Sequence, residues 1–147
     1  MRPLHLRFRY LGLAFLGGAV GTGLRYGLTL LLPGAGQGRG ALLAANVLGA
    51  FLLGLLLEGL AMRGPDQGIR RTGRILVGTG LLGGVTTFST AMVEALTARR
   101  EGKRVKFLML WLVQVIGAVL AALAGTLCFV LLLGDDVAPI IPIDIFF

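Results

Sequence analysis

The sequence predicts an all-α membrane protein of four transmembrane helices. Three observations lead there. Hydrophobic residues make up 56% of the chain against 14% charged, with a mean hydropathy of +0.88, whereas soluble domains run at about 45–50% apolar. Apolar runs of helix-spanning length alternate with short charged segments, and a hydrocarbon core of about 30 Å takes roughly 20 such residues per crossing. Finally, 24 of the 147 residues are glycine, which suits membrane helices that approach one another closely. A chain of this length holds four crossings and no separate soluble catalytic domain.

The first span covers about residues 10–32 and ends at Pro33 in a Gly-rich stretch. Its small-xxx-small pairs, Gly17 with Gly21 and Gly23 with Gly27, give flat packing surfaces. Arg2, Arg7 and Arg9 precede it, but the run is too long for a signal-peptide core and no A-x-A-like cleavage site follows. The second span, 41–62, contains Asn46 and closes at Arg63-Gly64-Pro65-Asp66, because Pro65 cannot continue the helix. In the third, 75–96, Gly83 and Gly84 precede the polar run Thr86-Thr87-Phe88-Ser89-Thr90. A helix with paired glycines beside four hydroxyls is expected to break at mid-membrane, where non-helical backbone is tolerated only inside protein or water. The fourth span, 107–133, has Gln114 and Thr126 as its most polar residues, and the tail from Asp135, with Pro139 and Pro142, is expected to be non-helical.

The formal net charge is +7. Its placement between apolar runs points to an acidic membrane surface and not to nucleic acid. Lys and Arg number seven on the side holding the N-terminus, second loop and tail, and six on the side of the first and third loops. Orientation is set by asymmetry in these counts, so a difference of one predicts dual topology.

Cys128 and His5 are single residues of their kinds and build neither a disulfide framework nor a zinc site. With no nucleophile–base–acid set and no phosphate loop, an enzyme reading has no support. The Gly78, Gly80 and Gly83 spacing matches a dinucleotide fingerprint by letter only, since no strand precedes it. Asn46, inside its span, either bonds another helix or marks a pathway. Arg25 can snorkel to the interface, and Glu94 can lie there too. Gln114 is deep enough to line a pathway. Phe88 can pack, or turn its positive ring edge to an anion.

Three motifs, GGAVGTGLRY from Gly17 to Tyr26, NVLGAFLLG from Asn46 to Gly54 and GLLGGVTTFST from Gly80 to Thr90, together resemble the Fluc-type (CrcB) fluoride ion channel family. The resemblance implies an antiparallel dual-topology homodimer in the cell's inner membrane, with broken third helices crossing at the two-fold axis and two fluoride pores beside it. Pairing with a related subunit of opposite topology is the other arrangement. It further implies that Asn46 donates to fluoride, that Phe88 faces the pore edge-on, and that Thr87, Ser89 and Thr90 line it. Carbonyls of Gly83 and Thr86 would hold a structural sodium ion at the dimer centre, and fluoride would leave the cytoplasm passively. The sequence departs from the family at Ala91, where a second Phe is expected, at Leu42 and Leu43 in place of a Thr, and at Leu110 and Gln114 in place of a Tyr and Ser track. A Phe restored at position 91 is expected to be tolerated and to sharpen selectivity, unless a neighbour such as Met92 or Phe51 already fills that space. The runner-up, a proton-coupled exporter resembling the small multidrug resistance family, requires a carboxylate deep in the first span, which holds none. A structural assembly protein would leave the run Thr86 to Thr90 without a purpose.

Overall fold

The computed structural model describes residues 7–31 and 39–133, apart from the side chains of Arg39, Gly40, Glu94 and Leu133. The expectations for Arg2, His5, the stretch after Pro33, the tail from Asp135 and the placement of the Glu94 side chain fall outside the described residues. Within them the regular structure is helical. The elements are α1 (Phe8–Leu31), α2 (Arg39–Met62), α3 (Gly68–Gly73), a π-helical stretch (Arg74–Leu82), α4 (Gly83–Val85), α5 (Phe88–Arg100) and α6 (Arg104–Leu133). Three stretches, Ala41–Met62, Gly68–Arg100 and Arg104–Leu132, are long and apolar enough to cross a membrane. The 24-residue α1 is not among them, because Arg25 and its run of glycines dilute its hydropathy.

The helices outrun the apolar spans. Arg70, Arg71 and Arg74, read from the sequence as loop, lie in α3 and at the start of the π-helical stretch, and Arg99, Arg100, Arg104 and Lys106 extend α5 and α6. Arg and Lys are good helix formers whose stems lie along apolar surface while their heads reach water. The α5–α6 connection is consequently only three residues, turning on Gly102 at φ 78°.

Packing divides the chain into two glycine-mediated pairs, α1 against the π-helical stretch and α4, and α2 against α6, while α5 lies on α6. In the first pair, a Cβ on Gly17 would strike the Leu76 carbonyl and come within 2.8 Å of Leu81 N. One on Gly84 would sit 2.6 Å from the Gly18 carbonyl. In the second pair, Gly54 abuts the Ala122 carbonyl and Gly125 the Phe51 carbonyl, so backbone meets backbone at both. Contacts this close maximise dispersion where no hydrophobic force drives helices together.

Gly83 and Gly84 are themselves helical. The two residues that leave the helix are Thr86 (φ −80°, ψ 149°) and Thr87 (φ −151°, ψ 112°). Gly84 serves the contact with α1, and the paired glycines therefore precede the irregular backbone without forming it. The π-helical stretch had no sequence signal. Its wide turn is visible where Gly83 N–H reaches back five residues to the Gly78 carbonyl.

Candidate functional site

Asn46 is the one buried polar side chain among the described residues, 8% exposed on α2. An amide in an apolar setting must find partners for both hydrogens and its oxygen, and here all three are used. Its Oδ1 accepts the Thr87 N–H at 2.7 Å, and Nδ2 donates to the Thr87 carbonyl and to Gln114 Oε1, each at 3.1 Å. The side chain thus grips both polar groups of one peptide residue 41 positions along the chain and ties α2 to α6 in the same step.

The grip explains the extended pair. In a continuous helix the Thr87 N–H would bond the Gly83 carbonyl four residues back, but Asn46 takes it instead. The ladder ends with Thr86 N–H on the Leu82 carbonyl at 3.0 Å, where the Thr86 hydroxyl also donates. The carbonyls of Gly83 and Thr86 thereby fall outside the helical ladder. The Thr86 methyl fills the space over Gly49, one turn beyond Asn46 on the same face of α2. That neighbour was missed from the sequence, although the Asn46–Gly49 spacing of three residues could have suggested it.

A cavity of about 200 Å³ opens beside this junction, lined by Asn46, Thr86, Phe88 and Gln114 and walled by Ala50, Leu53 and Ala118. It contains amide and hydroxyl groups, an aromatic ring and no charged side chain. Phe88, the first residue of α5, is 62% exposed in the subunit. The hydroxyls of Thr87, Ser89 and Thr90 form a separate cluster at the start of α5, with Thr87 Oγ1 3.2 Å from each of the other two. Thr87 caps α5 in extended geometry, but its side chain makes no capping bond, so its hydroxyl is turned to the cluster. Of the residues singled out in the sequence, Asn46, Thr86, Phe88 and Gln114 therefore meet in the cavity. Thr87, Ser89 and Thr90 meet next to it. Gly83 lies apart, exposed, with nothing closer to a Cβ than the Gly78 carbonyl at 3.8 Å. No group of three or more His, Cys, Asp or Glu occurs among the described residues.

Ala91 belongs to a different environment. It is 3% exposed, with Ala95 and Ala98 at 0% and 5%, forming the face of α5 that is buried in the subunit. A second ring cannot be added there without displacing the packing, which corrects the expectation that Phe would be tolerated.

The sequence matches the family described as CrcB-like protein, Camphor Resistance (CrcB), over residues 12–126. It is 48% identical over 92 residues to the fluoride-specific ion channel FluC 2 of Leifsonia xyli subsp. xyli, covering 63% of each chain. It is 49% identical over 85 residues to FluC 1 of Cutibacterium acnes, 57% of this chain and 59% of that one. Against the FluC protein of a Chelativorans species it is 36% identical over 119 residues, 79% of this chain and 92% of the other. The matched stretch thus spans about three fifths of the length of the first two relatives.

Proposed function

The chain belongs to the CrcB-like family, and we propose on that premise that it is a fluoride-selective channel, not an enzyme, through which fluoride leaves the cytoplasm passively and the cellular load falls. Relatives named fluoride-specific ion channels support the reading, as does the chemistry of the site. A fluoride path must replace tightly held water with donors while keeping each site weak enough to release the ion. The observation that carries this is the extended Thr86–Thr87 pair gripped by Asn46, which leaves a hydroxyl cluster and an exposed ring at one level. We assign the polar lining to Asn46, Thr87, Phe88, Ser89, Thr90 and Gln114. Because both Asn46 hydrogens are engaged, its donation to fluoride proceeds by exchange with Gln114, whose carbonyl oxygen can release one of them.

The functional unit of this proposal is an antiparallel dual-topology homodimer in the inner membrane, with the third helix broken at mid-membrane. At about 1.5 Å per residue α1 reaches roughly 36 Å, enough for the fourth crossing alongside the π-helical stretch it packs against. The Gly83 and Thr86 carbonyls, outside the helical ladder and supplied by both subunits, fit a hard cation that needs oxygen ligands without carboxylates. Sodium held there would fix positive charge at the dimer centre and tie the two third helices together. Replacing sodium by N-methylglucamine is then expected to lower the melting temperature of the dimer.

The functional test uses proteoliposomes loaded with potassium fluoride, opened to potassium by valinomycin and read with a fluoride electrode. Rapid fluoride release with little chloride release is expected. Release that requires a proton gradient would replace the channel by an exporter, and no release from folded dimer would remove both.

A further inference from the structure

A second polar cavity, of about 280 Å³, lies at the corner between α2 and α3. One wall is Leu57, Leu60 and Ala61, and the other is Gly64, Asp66, Arg70 and Arg74. The apolar wall belongs to the last two turns of a span that ends at Met62. The polar wall begins immediately after it, at the level where a bilayer changes from hydrocarbon to headgroups. The cavity is therefore divided in the same way as a lipid.

Its charge is also defined. Arg74 holds Asp66 through two bonds, Nε to Oδ1 at 3.1 Å and Nη2 to Oδ2 at 2.7 Å, and Arg71 Nε adds a third at 3.4 Å. Slight burial pushes the Asp66 carboxyl up, but the hydrogen bonds and charge of Arg74, then of Arg71, outweigh it and hold the group below its ordinary range. One carboxylate thus faces two guanidinium groups of its own. Arg70 is fixed separately, through Nε to the Pro65 carbonyl at 3.0 Å and Nη1 to the Arg63 carbonyl at 2.7 Å. Among the described residues its Nη2 has no acceptor. It lies beside Gly64, which has a left-handed φ of 111° and where an added Cβ would lie 3.4 Å from that nitrogen. An orientated, uncompensated guanidinium beside an apolar wall suits a phosphate with a hydrocarbon chain attached.

We propose that this corner binds an acidic phospholipid, its phosphate on Arg70 and its acyl chain along Leu57, Leu60 and Ala61. Both subunits of an oppositely oriented pair would carry the site, one in each leaflet. The inference stands whether or not fluoride is the permeant ion.

The test is native mass spectrometry of the detergent-purified full chain titrated with phosphatidylglycerol or phosphatidylcholine, alongside Arg70→Gln. A charge-matched control carries Arg104→Gln. A surface guanidinium contributes about a five-fold effect on acidic-lipid binding, so the wild type should prefer phosphatidylglycerol by at least that factor. Arg70→Gln should lose roughly five-fold in affinity, and the control should retain it, all with unchanged melting temperature. Should Arg70→Gln fail to fold, Arg70→Lys, which keeps the charge but not the fork, should retain part of the preference. Equal binding of both lipids, or the same loss in the control, would overturn the proposal. So would glycerol phosphate competing at concentrations equal to the lipid, since that would make the corner a site for soluble phosphate.

Discussion

Replacing Asn46 with Asp keeps the shape of the side chain and removes both amide hydrogens, so the Thr87 carbonyl and Gln114 lose their donor while the Thr87 N–H keeps its acceptor. A buried group left unsatisfied costs about 1–3 kcal/mol. The added negative charge also opposes an incoming anion. Fluoride flux is expected to collapse, with a lower melting temperature but a persistent dimer on size exclusion, and dissociation would show that the amide serves packing alone. Phe88→Ile is expected to abolish flux with little change in stability, because the ring is 62% exposed in the subunit and its contribution is the positive edge. Electrode-measured release at matched reconstitution density checks the loss of flux in both variants, and the melting temperature distinguishes them. For Ala91→Phe the expectation is destabilisation of about 1–3 kcal/mol through overpacking, read as lost monodisperse yield, since Ala91 is 3% exposed. The importance of Asn46 was legible in the sequence because an amide in an apolar run must find partners. Its partner was not, since a contact across 41 residues leaves no periodic trace, whereas the Ala91, Ala95 and Ala98 spacing is a small-xxx-small pattern that marks the inward face of α5.

At the level of elements, glycines divide by what a methyl would meet. Gly17→Ala drives a Cβ into the Leu76 carbonyl and against Leu81 N and Gly80 Cα, all backbone. Neither helix can yield locally, so the α1 pair should separate, with loss of folded protein in a thermal-aggregation assay. Gly23→Ala meets nothing within 4 Å in the subunit and removes a weak helix former, which favours the helix by about 1 kcal/mol. An unchanged subunit with a weakened dimer in that variant would mark this face of α1 as the contact between copies. The four apolar runs were readable because each is close to the length a bilayer demands. The ends of the helices were not, because Arg and Lys continue a helix as readily as they begin a loop. The location of the irregular backbone was likewise displaced, from the paired glycines to Thr86 and Thr87, because a glycine tolerates extended geometry without requiring it, whereas a side chain from another helix can impose it.

For the whole molecule, seven basic residues on one side against six on the other leave insertion with little to choose between orientations. Reporter domains fused after the last residue should be active on both sides of the membrane. Activity on one side only, with flux retained, would require a partner subunit of fixed opposite orientation. The near balance could be counted in the sequence, while the pairing proposed for it lies beyond a single subunit. The bond between Asn46 and Thr87 also bears on the order in which the protein is made. The peptide of Thr87 cannot rest in hydrocarbon until an amide is beside it, and α2 carries that amide ahead of it in the chain. Synthesis from the N-terminus therefore delivers the acceptor and donor first and the segment that needs them second. Gln114 follows last on α6 and takes up the remaining hydrogen. A circular permutant that placed α2 after α5 would reverse the sequence of events and offer the translocon an unsatisfied segment.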